Sequence, residues 1–374
     1  MVKRVIISGG GTGGHIFPAI SIANALQQMQ PDMELLFVGA LGRMEMERVP
    51  KAGYRIEGLD IQGINRQALL KNLTLPYKLW KSVQASKAII RRFKPDAVVG
   101  VGGYASGPLL YAAGRMQVPY LIQEQNSFAG ITNKKLGEKA ARICVAFEGM
   151  EQFFPKEKLV FTGNPIRKQA VDIEGKREEA IAHYGLSTEH KTILLTGGSL
   201  GSATLNESAY EALEALNRAG VQLIWQCGSY YYERLKKQIG TPMPAGIYLT
   251  DFLDRMDLAY AAADVIISRA GAGTIAELCA VGKPSVLVPS PNVAEDHQTF
   301  NAKALSEKDA AILVEDAIAQ EVLFKVGIAL LEDVSRQTDL SANIKPMAVW
   351  DADEKIASLV LGLGSEKNIR DIGI

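Results

Sequence analysis

The chain has 374 residues, with 41 Lys and Arg against 41 Asp and Glu, and 47% of it is apolar. At roughly 150 residues per domain this length predicts two domains, and the ordinary apolar fraction excludes wholesale disorder. Zero net charge argues against a general nucleic-acid binder, and three widely spaced cysteines (Cys144, Cys227, Cys279) indicate neither a disulfide framework nor a cysteine zinc site and fit a reducing compartment.

The first apolar run, Val5-Ile6-Ile7, is too short for the core of a signal peptide. No stretch nears the ~18–20 apolar residues that span a bilayer, so a soluble or membrane-peripheral cytoplasmic protein is expected. The same run reads as a buried parallel strand, and so do Leu35-Leu36-Phe37-Val38, Ala97-Val98-Val99, Tyr120-Leu121-Ile122 and Ile143-Cys144-Val145. After residue 190 the pattern restarts with Ile193-Leu194-Leu195, Leu223-Ile224-Trp225, Val265-Ile266-Ile267 and Val286-Leu287-Val288. Strands apolar on both faces and separated by amphipathic helices predict βαβ units, hence doubly wound α/β sheets.

The restart repeats a plan of strand, small hydroxyl and paired glycine, at Ser8-Gly9-Gly10 and again at Thr196-Gly197-Gly198. It predicts two Rossmann-like domains, 1–163 and 164–346, with the Gly163-Asn164-Pro165 breaker between them. The charged stretch from Asp172 to His190 suits a surface helix opening the second domain. After Lys345-Pro346 a final helix, about 347–364, carries an apolar face of Ile356, Leu359, Val360 and Leu363 suited to packing back on the first domain.

Four glycine-rich loops each follow a predicted strand. They are Gly9-Gly10-Gly11-Thr12-Gly13-Gly14-His15, Gly100-Val101-Gly102-Gly103-Tyr104, Gly197-Gly198-Ser199-Leu200-Gly201 and Gly271-Ala272-Gly273-Thr274. The first literally matches G-x-G-x-x-G, which would suggest a nicotinamide dehydrogenase. A dinucleotide site wants an acid ending the second strand, and here that strand ends Val38-Gly39-Ala40. Loops after parallel strands all emerge at the carboxyl edge, where ligands bind, and two such edges predict an interdomain cleft. Glu277, about one turn into the helix after the fourth loop, either caps that helix electrostatically or accepts the hydroxyls of a ribose whose diphosphate lies on the helix start. Ser199, Thr274 and Arg167 would donate to that diphosphate. His297, Gln298 and Asn301 can each donate and accept, which suits a sugar; the bland alternative is a helix capped by Asp296 with incidental neighbours.

Together these segments resemble the MurG family of peptidoglycan glycosyltransferases, within the GT-B superfamily. The residues that carry the likeness run in order along almost the whole chain. They are Gly10-Gly11-Thr12-Gly13-Gly14-His15, Gly102-Gly103-Tyr104 with Ser106-Gly107-Pro108, Glu124-Gln125-Asn126, Gly163-Asn164-Pro165-Ile166-Arg167, Gly197-Gly198-Ser199 and Asp296-His297-Gln298 with Asn301-Ala302. The resemblance implies a GT-B fold of two Rossmann-like domains facing across a cleft. It implies transfer of N-acetylglucosamine from its UDP donor to lipid-linked N-acetylmuramoyl-pentapeptide, the step from lipid I to lipid II. By the same resemblance Thr12, Gly13, Gly14 and Asn126 line the sugar and acceptor side, and Arg167 and Ser199 contact the donor diphosphate region. Leu253 lies by the uracil, Ala272, Gly273, Thr274, Ile275, Ala276 and Glu277 hold phosphate and ribose, and His297 with Gln298 reads the N-acetylglucosamine. Gln123 departs from the family pattern, where many members carry His, which argues against proton transfer at 123. His297 stands where some members carry Gln.

The implied chemistry is inverting transfer through an oxocarbenium-like state, with the muramoyl 4-hydroxyl attacking as UDP leaves. Of four histidines, His183 and His190 lie in the charged segment and read as solvated. His15, at a glycine-loop helix start, is the candidate general base, since a near-neutral pKa suits that task, and Glu124 is the rival. No cofactor and no metal-ligand spacing is evident, and the donor phosphates are expected to need no protein-bound cation. From Arg66 to Lys94 run eight basic residues (Arg66, Lys71, Lys78, Lys81, Lys87, Arg91, Arg92, Lys94) with no acid, interleaved with Leu69, Leu70, Leu73, Leu75, Tyr77, Leu79 and Trp80. That stretch suits docking on an anionic membrane surface from the cytoplasmic side; the alternatives are a solvated helix face with core leucines, or an RNA patch, for which stacking aromatics are sparse. Rival functions are another UDP-sugar enzyme of the superfamily (a glycolipid glycosyltransferase or a UDP-N-acetylglucosamine 2-epimerase) and a nucleotide-sugar-binding module without turnover.

Overall fold

The structure, a computed structural model, describes residues 2–62, 74–198, 200–293 and 296–371. The chain forms two units, one of Met1–Ile166 with Asp351–Ile374 and the other of Arg167–Trp350.

Among the described residues the first unit has seven parallel strands: β1 (Arg4–Gly9), β2 (Glu34–Ala40), β3 (Ile56–Leu59), β4 (Ala97–Gly102), β5 (Tyr120–Glu124), β6 (Arg142–Val145) and β7 (Leu159–Phe161). Their order is β3-β2-β1-β4-β5-β6-β7. Successive side chains of a strand point to opposite faces, so Ile6, Val98 and Ile122 join one buried cluster while Val5, Ile7, Val99 and Leu121 join another. Both faces are therefore core, as continuous apolar runs require. The helix Gly13–Met29 covers one face, and the final helix, Ala352–Asp371, packs beside it and buries Ile356, Val360 and Leu363.

Near the break between units, the chain is tied to the first sheet by buried amides. Gln123 Nε2 donates to Asn164 Oδ1 at 2.8 Å, and Asn164 Nδ2 donates to Gln125 O at 2.9 Å. Gln125 Nε2 in turn reaches Val101 O at 2.7 Å. Gln123 thus serves a buried amide chain.

The second unit repeats the plan with β8 (Thr192–Thr196), β9 (Gln222–Gln226), β10 (Ile247–Thr250), β11 (Val265–Ser268), β12 (Ser285–Leu287) and β13 (Ile312–Leu313), in the order β10-β9-β8-β11-β12-β13. Trp225 is wholly buried in its core, with Nε1 donating to Asn206 Oδ1 at 2.9 Å.

Four strands were not expected from the sequence: β3, β7, β10 and β13. All four are sheet edges, whose partial exposure removes the need for an unbroken apolar run. The charged stretch forms a surface helix over part of its length. This short helix, Arg177–His183, buries Ala180 and Ile181 against the helix Met256–Ala262. The three cysteines are buried, and burial pushes each thiol up to about 12.

Candidate active site

In the first unit β1 ends at Gly9, and the chain turns into the helix Gly13–Met29 through Gly11, whose φ of +86° favours glycine. The turn leaves Thr12 and Gly14 exposed and carries His15 into the first helical turn, half-buried. His15 Nδ1 lies 3.0 Å from Gly10 O and 3.5 Å from Thr12 Oγ1. A carbonyl oxygen only accepts, so the shorter contact places the proton on Nδ1 and leaves the lone pair of the neutral ring on Nε2. That is the tautomer a general base needs.

The loop after β4 closes on the same ring. A Cβ at Gly102, which has φ +102°, would sit 2.7 Å from His15 Nε2, and one at Gly103 would strike the backbone of Gly10. Ser106 Oγ, 2.9 Å from Ser8 O and 2.8 Å from Gly102 O, bridges the two loops. Glycine here is a matter of space as well as of dihedral angle.

Sequence reasoning missed Glu45. It is buried, with Oε2 accepting from Gly11 N at 2.8 Å and Oε1 from Ala40 N at 3.0 Å. An acid does return to the end of β2, but its oxygens hold backbone amides rather than a ribose. The negative charge this glycine loop attracts is supplied by the protein itself. No spacing rule flags it, because Glu45 lies beyond the strand end.

Glu124, the rival base, is 4% exposed. Its Oε2 accepts from Asn133 Nδ2 at 2.8 Å and Gly130 N at 3.4 Å, and its Oε1 from Asn126 N at 3.2 Å and Asn126 Nδ2 at 3.4 Å. Burial raises its pKa, an effect that these hydrogen bonds oppose. With both oxygens engaged, Glu124 orients Asn126.

In the second unit the helix Ala272–Val281 starts directly after the loop at Gly271, and Gly273 faces open space. Ala272, Gly273, Thr274 and Ala276 are half-buried, but Ile275 turns its side chain into the core and spends its N–H on Gly271 O at 2.9 Å. The Ile275 side chain thus packs rather than facing solvent. Glu277 is buried one turn in, and it is occupied: Arg167 Nε donates to Oε1 at 2.7 Å and Arg167 Nη2 to Oε2 at 3.0 Å, while Tyr260 Oη donates to Oε2 at 3.0 Å. Burial works against the Arg167 charge, but Glu277 more than offsets it and the pKa stands above its ordinary value. Burial first, and then the Glu277 charge, pushes the Tyr260 phenol well up, so it stays a donor. Arg167 and Glu277, expected to serve different parts of a ligand, are here a bidentate pair.

Ser199 and residues 294–295 of the loop before His297 lie outside the described residues. The neighbouring glycine loop is held by Gln226, whose Nε2 donates to Gly198 O at 3.1 Å and Asp251 O at 3.0 Å. Gln226 therefore ties that loop to the segment carrying Leu253, which is buried. Arg269 anchors the other side, donating to Ser202 Oγ, Val288 O, Pro289 O and Asp316. Both were missed, although each is a polar residue ending or following an apolar strand, which is the available signal. His297 opens the helix His297–Ser306 half-buried, and Gln298 Oε1 accepts from Ser290 N at 2.9 Å. Asn301 departs from the expected sugar reader: it is fully buried, with Nδ2 donating to Ala270 O at 3.2 Å. Asp296 takes the N-cap position, yet its carboxylate accepts from the Thr299 hydroxyl rather than from a backbone amide.

Arg66, Lys71, Leu69, Leu70 and Leu73 of the basic stretch lie outside the described residues. The rest forms the helix Leu75–Phe93, which buries Ser82, Ser86, Ile89 and Ile90. Tyr77 and Trp80 are 64% and 59% exposed and stack 6.2 Å apart, with Leu79 also exposed. The stretch itself lacks acids, but the fold sets Asp60 beside Lys78 and Lys81, and Glu57 beside Arg92. Among the described residues no helix is long and apolar enough to cross a membrane, and no cluster of three or more His, Cys, Asp or Glu is placed to hold a metal ion.

Two family models match the chain: the glycosyltransferase family 28 N-terminal domain over residues 5–145 and its C-terminal domain over residues 192–356. The chain is 52% identical over 364 residues to a protein of Parabacteroides distasonis, covering 97% of this chain and 99% of that one. It is 54% identical over 357 residues to one of Cytophaga hutchinsonii, covering 96% of each. Both are named UDP-N-acetylglucosamine–N-acetylmuramyl-(pentapeptide) pyrophosphoryl-undecaprenol N-acetylglucosamine transferase. Among solved structures, Acinetobacter baumannii MurG matches with a TM-score of 0.74 at 30% identity, over 96% of this chain and 99% of that one.

Proposed function

The chain belongs to glycosyltransferase family 28, and on that premise we propose that it transfers N-acetylglucosamine from UDP-N-acetylglucosamine to lipid-linked N-acetylmuramoyl-pentapeptide, with His15 as the general base. The observation that carries the catalytic reading is the 3.0 Å contact of His15 Nδ1 with Gly10 O. With Nδ1 held by Gly10 O, Nε2 is the basic atom. The 4-hydroxyl oxygen of the acceptor forms a bond to the anomeric carbon as the bond from that carbon to the UDP oxygen breaks. The hydroxyl proton passes to Nε2, and the bonding pair leaves with UDP.

The second unit serves the donor. Glu277 accepts the ribose hydroxyls in place of the Arg167 nitrogens, which frees the guanidinium for the departing diphosphate. The amides at the start of the helix Ala272–Val281 add partial positive charge at the phosphates. His297 and Gln298, at the start of their helix, read the sugar. The test is incubation of the protein with radiolabelled UDP-N-acetylglucosamine and the lipid-linked acceptor. Label appearing in the lipid product is expected, and UDP-N-acetylglucosamine bound without transfer would overturn the reading.

The acceptor's lipid tail makes peripheral docking mechanically sensible, and the exposed Tyr77, Leu79 and Trp80, with Lys81 next in the chain, support it. Replacing Tyr77 and Trp80 together by alanine is expected to weaken binding to vesicles of anionic lipid about tenfold. Co-sedimentation at low and high salt checks this, and equal binding by both forms would sink the docking face.

A further inference from the structure

Glu45 Oε2 accepts from the N–H of Gly11, and His15 Nδ1 donates to the C=O of Gly10. These two groups belong to one peptide unit, the Gly10–Gly11 amide. We propose that Glu45 is a positioning residue that acts on His15 through this single peptide group, as a carboxylate–peptide–imidazole relay. The proposal rests on His15 being the base.

The physical basis is the polarisation of an amide. A carboxylate on the N–H side draws the proton toward itself and places more negative charge on the carbonyl oxygen of the same group. That oxygen becomes a stronger acceptor for Nδ1–H, which favours the tautomer with the lone pair on Nε2 and steadies the imidazolium formed on proton uptake. In enzymes where a carboxylate touches the base directly, it sets tautomer and orientation by contact. Here the carboxylate and the ring stand on opposite edges of one rigid plane.

The surroundings of Glu45 fit this task. Its side chain is 1% exposed, and its other oxygen is held by Ala40 N at the end of β2, so the carboxylate cannot swing away. Two glycines make the space for it: a Cβ at Gly39 would lie 2.6 Å from Glu45 Cγ, and a Cβ at Gly10 would strike the carboxylate. Gly103 closes against the same Gly10 backbone and Gly102 against the His15 ring, which leaves both ends of the relay no room to slide. Only Gly10 and Gly39 leave room for the carboxylate at this spot.

The test uses the full chain with 15N-labelled histidine, the His15 ring signals being assigned by their loss in His15→Ala. In the unaltered protein the neutral ring is expected to show Nδ1–H and a bare Nε2; the opposite tautomer would overturn the relay without any variant. Glu45→Gln presents an amide of the same shape with one acceptor oxygen in place of two. It is expected to lower kcat about tenfold, to leave the KM for UDP-N-acetylglucosamine within about twofold, and to raise visibly the share of the Nε2–H tautomer. In the His15→Ala background the same substitution should cost nothing further, since the relay then has no terminus. An equal loss in both backgrounds, or ring signals unmoved by Glu45→Gln, would show Glu45 to be scaffold only. If His15→Ala itself keeps its turnover, the base assignment fails, whatever the tautomer measurement gives.

Discussion

His15→Ala is expected to lower turnover by about two to four orders of magnitude, the usual contribution of a positioned general base. The KM for UDP-N-acetylglucosamine should hardly change, because the groups assigned to the nucleotide lie on the second unit. Removing the ring should also cost little stability, since it is half-buried and its Nδ1 bonds to its own loop. Steady-state kinetics with a melting curve separate these effects. A variant that keeps a tenth or more of its turnover would return the role to another group. Glu124 is poorly placed to take it, with both oxygens already accepting from Asn126, Gly130 and Asn133.

The second large effect is expected from Glu277→Ala. In the proposed donor site its carboxylate accepts two ribose hydroxyls, and each hydrogen bond to a charged group contributes about 1.5–3 kcal/mol. Part of that is spent already, because the donor must displace Arg167 from the same oxygens. A fall in kcat/KM for UDP-N-acetylglucosamine of about 10²- to 10³-fold follows, expressed mainly in KM. Glu277→Gln, which keeps one acceptor oxygen, should fall between. Loss of the carboxylate also removes the partner of the buried Tyr260 hydroxyl, so a modest drop in melting temperature is expected alongside. If the KM for the donor were unchanged in Glu277→Ala, the ribose would have to be bound elsewhere, and the Arg167–Glu277 pair would be a structural clasp.

Nine strands were readable as short apolar runs because a strand buried on both faces has little freedom in composition. The four edge strands were not, since Ile56–Leu59, Leu159–Phe161, Ile247–Thr250 and Ile312–Leu313 are partly exposed and carry mixed patterns. The glycine loops were readable for a similar reason: close approach and positive φ leave few alternatives at Gly11 and Gly102. His15 and Glu277 could be singled out by their places relative to those loops. Asn301 and Ile275 could not be sorted in the same way, because a polar or apolar residue near a loop does not announce whether it faces ligand or core. Asn301 turned out to hold Ala270 O, and Ile275 to be core.

The order of residues alone determined the doubly wound class, the repetition of the plan in two halves and the glycine loops at the strand ends, because periodicity and glycine placement are local properties of a chain. Tertiary structure decided who partners whom. Glu45 reaches Gly11 across 34 positions and Arg167 reaches Glu277 across 110. Such pairings depend on how strands are ordered in the sheets and how loops return over their edges. A charge in sequence becomes a ligand, a clasp or a relay only when folding fixes what stands opposite it.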